Sequence, residues 1–283
     1  MPGTLFVVAT PIGNLDDITI RALRTLREAS VIAAEDTRRT AHLLTRHGIT
    51  TPTTSLHEHN ERRKASALVA RLQAGDNVAL VSDAGTPTIS DPGAELIRAA
   101  IEAGIRIEPI PGPNAAVAAL SVSGLLTDSF AFYGFPPTRS KDRKSWFTRL
   151  GSVGGVAIFY EAPHRIERTL TDLLASIGDR PAIVARELTK AHEELVRGPI
   201  SSLFGQLSSG RGEFTVIVDV GAPREDSDFI GQTTENEPAG HREAVRQLAA
   251  RIGLSANELY RAIERTKQLG QKADNKASVE SEP

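Results

Sequence analysis

Short apolar runs alternate with amphipathic stretches along the first part of the chain. This predicts strands at 5–9, 31–34, 78–81 and 105–110, each followed by Gly, Pro or Asp. Between the first two runs, Ile18, Ala22, Leu26 and Ala29 fall on one face at helical spacing, and 65–72 and 94–101 behave in the same way. Strands alternating with helices are the signature of a parallel-stranded α/β layer. A second α/β block follows, with strands expected at 130–133, 156–160, 182–186 and 214–220 and helices at 141–150, 164–177 and 201–207. The expected organisation is an N-terminal lobe at 1–126 and a C-terminal lobe at 127–222. Residues 223–240 are polar, acidic and punctuated by Pro and Gly, which reads as a linker. At 241–270, Leu248, Ala249, Ile252, Leu254 and Leu259 have the spacing of a small helical helix-turn-helix-like module, with Gly253 at its turn. A disordered tail is expected at 271–283.

Composition narrows the chemistry. The chain has 283 residues and no cysteine, which removes disulfides, thiolate metal sites and thiol nucleophiles. The N-terminus lacks a basic leader region, and no apolar run approaches the ~20 residues of a membrane span, so a cytoplasmic location is expected. A net charge of −2 conceals clusters of +4 at 139–149 and at 242–276. Arg139, Lys141, Arg143 and Lys144 beside Trp146, the only tryptophan, offer phosphate contacts and one stacking ring. Were a nucleic acid the partner, reversing Arg143 and Lys144 would be expected to weaken its binding in a salt-dependent way.

Ligands of parallel α/β sheets bind beyond the carboxyl ends of the strands. Four strand-end loops are rich in Gly, Pro, small hydroxyls and aspartate: 10–14, 35–39, the twelve-residue string SDAGTPTISDPG at 82–93, and PGPNA at 111–115. None carries a dinucleotide glycine fingerprint or a phosphate-binding P-loop lysine. They suit a ligand with ribose hydroxyls, an amino group and little negative charge, and S-adenosylmethionine fits. His57 and His59 have the spacing of two metal ligands, but no third and fourth ligand stand out and no metal is expected. Asp83 and Asp91 can be read as an acid–base pair, or as caps of the following helix.

Pro11, the string at 82–93, Pro111-Gly-Pro-Asn-Ala115, Phe159-Tyr-Glu-Ala-Pro-His-Arg-Ile166 and Arg186-Glu-Leu-Thr-Lys190 together resemble the tetrapyrrole methylase superfamily. More narrowly, they are similar to its branch that methylates a cytidine ribose 2′-hydroxyl in the decoding region of 16S rRNA. The resemblance implies the two-lobed α/β tetrapyrrole-methylase-like (class III methyltransferase) fold, S-adenosylmethionine between the lobes, a homodimer, and rRNA in the small ribosomal subunit as substrate. Carried over residue by residue, cofactor contacts fall on Pro11, Asp83, Ala84, Gly85, Thr86, Ile89, Asn114, Ala115, Glu161 and Leu188. Tetrapyrrole-modifying members commonly carry Gly-Gly-Asp-Pro where this chain has Ala84-Gly85-Thr86-Pro87, so an acidic contact is lost there. A ribose hydroxyl needs a proton acceptor. Asp36, His57, Glu187 and Lys190, at or after strand ends, are the candidate catalytic residues. A tetrapyrrole C-methyltransferase and a non-enzymatic nucleic-acid-binding protein are the competing readings.

Overall fold

The computed structural model describes residues 1–125, 128–152, 154–208 and 210–221. The expected linker, helix-turn-helix-like module, tail and second basic cluster lie outside the described residues. No helix among those described is long and apolar enough to cross a membrane.

The chain begins with β1 (Thr4–Val8), α1 (Ile20–Glu28), β2 (Val31–Ala34), α2 (Thr37–Arg46), β3 (Thr53–Ser55), α3 (Glu61–Gln73), β4 (Val78–Val81), α4 (Ala94–Glu102), β5 (Arg106–Ile110) and α5 (Ala115–Ser121). The strands form one sheet in the order β3-β2-β4-β1-β5, parallel throughout. Central β2 and β4 are buried at every position. That is why they read as unbroken aliphatic runs, as strands covered on both faces do. Ile32, Ala34 and Val81 pack under Leu26 and Leu43 on one side, whereas Val31, Ala33 and Leu80 meet Leu68, Leu72 and Leu96 on the other. All five carboxyl ends emerge along one edge.

The second half comprises β6 (Phe130–Phe132), α6 (Ser140–Ser152), β7 (Gly155–Glu161), α7 (Ile166–Ile177), β8 (Pro181–Arg186), β9 (Glu194–Pro199), α8 (Ile200–Gln206) and β10 (Phe214–Gly221). Its sheet runs β6-β7-β10-β8-β9. Only the β6–β7 pair is parallel, and the β7–β10, β10–β8 and β8–β9 pairs are antiparallel. Small Ala116 and Ala119 let α5 lie directly on this sheet, against Ile158, Ile183 and Ile217. The first half of the chain is thereby anchored to the second beside the strand-end loops.

One buried carboxylate shapes the longest of those loops. Glu61, on α3, is 7% exposed and accepts the backbone N–H groups of Gly93 at 3.1 Å, Glu95 at 2.6 Å and Leu96 at 3.3 Å. It satisfies the orphan donors at the start of α4. The expectation that Asp91 caps this helix is therefore corrected, because the cap comes from a distant residue and the Asp91 carboxylate is left for another purpose. Gly93 itself sits at φ 127°, where a Cβ would come 2.7 Å from Leu80 Cδ2, so only glycine serves at that corner.

Candidate active site

The loops after β1, β4 and β5 are laced together by the chain itself. Thr10 and Gly85 exchange backbone hydrogen bonds at 2.8 and 3.0 Å, and the Thr86 hydroxyl donates to Pro113 O at 3.1 Å. The opposite wall comes from the second sheet. Asn14 N donates to Thr189 Oγ1 at 3.0 Å, and Ala116 N donates to the Tyr160 hydroxyl at 3.3 Å. At Gly13 the two walls touch, since a Cβ there would lie 2.5 Å from Lys190 Cγ and 2.6 Å from Leu188 O.

Between these walls lies a cavity of about 330 Å³, within the range of small-molecule sites. From the first half it takes Ile12, Ala84, Gly85, Thr86, Ile89, Ser90, Asp91, Asn114 and Ala115. From the second it takes Phe135, Tyr160 to Pro163, Ala185, Leu188 and Glu213 to Thr215. Backbone strain gathers around it. Among the described residues, the non-glycine residues with positive φ are Thr88 (72°), Ser90 (66°), Glu187 (51°) and Thr189 (64°), all in the two loops that face each other. Such conformations persist only where the surroundings hold them, and they concentrate at ligand clamps.

Charge distinguishes this cavity from a nucleotide site. Asp91, Glu161 and Glu213 line it, and among the described residues no lysine or arginine does. The three carboxylates are not equivalent. Glu161 is 2% exposed and saturated: it pairs with Arg165 at 3.2 Å, accepts the Thr169 hydroxyl and caps Ala162 N at 2.7 Å. Glu213 holds Lys190 Nζ at 2.9 Å. Asp91 has no cation partner among the described residues. Burial pushes its carboxyl up to about 6; a Ser82 hydrogen bond opposes this, and the neighbouring charges of Glu35 and Asp83 add to it. Glu35 is raised too, chiefly by burial.

These features fit a cationic, amphipathic cofactor. Ile12, Ile89, Phe135, Leu188 and Phe214 supply apolar surface, Ser90, Asn114 and Tyr160 supply polar groups, and the carboxylates supply negative potential. S-adenosylmethionine, with its sulfonium and ammonium, matches that set, whereas a phosphate-bearing ligand would find no cation among the described lining residues.

The sequence-predicted cofactor positions converge here: Ala84, Gly85, Thr86, Ile89, Asn114, Ala115, Glu161 and Leu188 all line the cavity. Pro11 is buried one residue before the lining. Asp83 lies behind it, where its carboxylate accepts Asp36 N at 2.9 Å and faces Arg39 at 3.5 Å.

The candidate catalytic residues separate. Asp36 caps α2 and pairs with Arg38 at 2.7 Å, and these bonds hold its carboxyl well below the usual range. His57 sits in the turn after β3, away from the cavity lining. Glu187 and Lys190 form a cluster with Glu213: Lys190 Nζ donates to Glu187 Oε1 and to Glu213 Oε2, both at 2.9 Å. Burial alone would raise Glu187 and lower Lys190, but these bonds win and both stay charged.

The expected RNA-contacting cluster is partly corrected. Arg139, Lys141 and Lys144 are exposed on and before α6. Arg143 and Trp146 are each only 4% exposed. Arg143 donates to Asp172 and, at 2.6 Å, to Thr169 Oγ1, and Trp146 packs edge-on against Phe147 and Phe159 with centroids 4.9 and 5.3 Å away. A ring and a guanidinium so enclosed cannot meet RNA. Sequence reasoning missed Asp91, Tyr160, Phe135 and Glu213 as lining residues. The Asp91 position lay inside a loop already singled out, but its protonation depends on burial that no local motif displays.

Comparison with known proteins agrees with this geometry. The family model of the tetrapyrrole (corrin/porphyrin) methylases matches residues 4–203. A protein of Synechocystis sp. named ribosomal RNA small subunit methyltransferase I is 45% identical over 268 residues, 91% of this chain and 96% of its own. One of the same name from Xylella fastidiosa is 50% identical, over 79% of this chain and 84% of its own. Among solved structures, the uroporphyrin-III C-methyltransferase of Thermus thermophilus in complex with S-adenosyl homocysteine superposes with a TM-score of 0.56 at 17% identity, over 77% of this chain and 98% of its own.

Proposed function

The chain belongs to the tetrapyrrole methylase family, and from that membership we propose that it transfers a methyl group from S-adenosylmethionine to the ribose 2′-hydroxyl of a cytidine in the decoding region of 16S rRNA. It is a methyltransferase that uses S-adenosylmethionine. The rRNA substrate rests on relatives that carry that name at 45–50% identity. The observation that carries the chemistry is the cavity with carboxylates, apolar walls and no cation.

When bound, S-adenosylmethionine supplies a methyl group on a sulfonium that leaves as a neutral thioether. The protein's task is then to align a hydroxyl behind that methyl, exclude water and accept one proton. Asp91 is the group we assign to the last step. It lines the cavity, lacks a cation partner, and with its carboxyl near 6 is ionised at neutral pH yet basic enough to take a proton as the O–CH₃ bond forms. Lys190, fixed between Glu187 and Glu213 against the Gly13 loop, is a positioning residue that holds the two walls at their spacing. On the outer surface, Arg139, Lys141 and Lys144 remain available for RNA phosphates. A cytoplasmic homodimer acting on the assembled small subunit completes the reading.

The test is to supply labelled S-adenosylmethionine with small-subunit particles, naked 16S rRNA and uroporphyrinogen. Label in an alkali-resistant cytidine dinucleotide from the decoding region is expected. Label in uroporphyrinogen alone would instead make the chain a C-methyltransferase. Mapping ribose methylation in rRNA from cells with and without the gene checks the same point in vivo, and sedimentation equilibrium checks the dimer.

A further inference from the structure

The carboxyl edge of the first sheet continues past the cavity. β2 stands beside β4 and β3 beside β2 in the parallel sheet, so their carboxyl ends open on the same edge. The segments that leave them carry exposed Arg38 and Arg39, then exposed His59, Arg62 and Arg63. The link to the cavity is direct, since Asp83, next to lining residue Ala84, binds Asp36 N and faces Arg39. From there the outward face of α2 presents Arg38, Ala41, His42, Thr45 and Arg46, which line a shallow open groove. The two arginines at its ends are eight positions apart, roughly 12 Å along a helix axis.

Carboxylates cancel only part of this charge: Asp36 pairs with Arg38 and Asp83 faces Arg39, whereas Glu61 is turned inward onto α4. Arg46 has only a distant partner, Asp16 at 3.7 Å. Arg62 and Arg63 form no ion pair among the described residues. Helix stability does not account for the arrangement either. The first turn of α2 holds two arginines and no acid, and cations are disfavoured at that end of a helix.

Resting on the RNA-methylating reading above, we propose that this edge, from Arg39 across α2 to Arg62 and Arg63, docks the phosphate backbone of the RNA strand flanking the target nucleotide. Arginine's planar fork suits phosphate oxygens, and such contacts set register while the cavity receives the ribose.

The test is the triple variant Arg46→Gln, Arg62→Gln, Arg63→Gln, none of which lines the cavity or caps a helix. Cofactor affinity by calorimetry is expected to stay within twofold of wild type, which also reports that the variant is folded. The KM for small-subunit particles is expected to rise about tenfold or more, and the dependence of log KM on log salt to flatten by about 2, as for three lost phosphate contacts. If the triple variant fails to bind cofactor, the double variant Arg62→Gln, Arg63→Gln is measured instead, with about two-thirds of that change in slope expected. An unchanged KM and salt slope, with wild type active on RNA, overturns the docking edge alone. No transfer to RNA by wild type overturns the functional reading, and the docking edge with it.

Discussion

The two halves of the molecule bury their acids in opposite ways. In the second half, Glu161 is enclosed with Arg143, Arg165 and Thr169, and Asp172 closes the same network. In the first half, Asp91 and Glu35 lie near one another and near Asp83, and burial raises both. A buried charge with its partners in place belongs to the architecture, because removing a partner leaves the rest stranded. A half-buried carboxylate without a cation is held at a cost in stability, and proteins retain such groups where chemistry uses them. Both kinds line one cavity, so the difference tells which carboxylate reacts and which supports.

The largest expected effect separates them directly. Asp91→Asn should lower methyl transfer at saturating cofactor by about 10²–10⁴-fold, the usual contribution of a positioned proton acceptor, well beyond the weaker cofactor binding that calorimetry should show on loss of one lining carboxylate. In wild type, kcat should rise with pH through about 6, because only the ionised carboxylate accepts a proton. A wild-type rate that is flat from pH 5 to 8 would remove Asp91 from the reaction. In the second half, the matching change is structural. Arg143→Met should destabilise folding by about 3–5 kcal/mol in urea titrations, whereas exposed Lys144→Met should stay within about 0.5 kcal/mol. Equal effects from the two would mean that Arg143 is not part of a buried network.

Glu61 provides an intermediate case, a buried acid satisfied by backbone donors in place of cations. Glu61→Ala should cost about 2 kcal/mol through loss of the cap on α4. It should also weaken cofactor binding, since the twelve-residue loop loses the anchor at its end. Calorimetry that finds full cofactor affinity in this variant would show that the loop holds its shape without Glu61.

How far these features could be read from the sequence follows the same division. The central strands were legible because every position of β2 and β4 is apolar. β3, with three residues, and β9, with Glu194 and Arg197, escaped because an edge strand needs no continuous apolar run. α2 is weakly signalled because its buried apolar side chains are only Leu43 and Leu44, and its first turn falls within the loop expected at 35–39. The cofactor loops were legible because Gly and Pro mark backbone that must turn sharply. The basic cluster misled because charge counted along a segment ignores the helix face. Arg143, Trp146, Phe147 and Leu150 recur at i, i+3, i+4 and i+7 and all point inward, and that spacing was the available signal. Asp91 could not be resolved, since its raised carboxyl depends first on burial and then on the charges of Glu35 and Asp83, all brought about only by folding.

The smallest predicted effect joins stability to function at Asp91. Its carboxyl titrates near 6 in the folded protein, against about 4 in an unfolded chain. The folded state therefore holds a proton that the unfolded state has already released. The stability this contributes is complete below about pH 4 and is lost as pH rises through about 6. Asparagine stays neutral throughout and loses nothing. Asp91→Asn should accordingly match wild type near pH 4 and exceed it at pH 8 by about 1 kcal/mol, a figure reduced for the solvent screening of a half-exposed group. Thermal unfolding of both proteins across that range measures the difference. A variant that loses activity while its gain in stability grows between about pH 4 and 6 and then holds constant would identify Asp91 as an acid kept charged for use. A variant destabilised equally at every pH would place Asp91 with Glu161 among the supports.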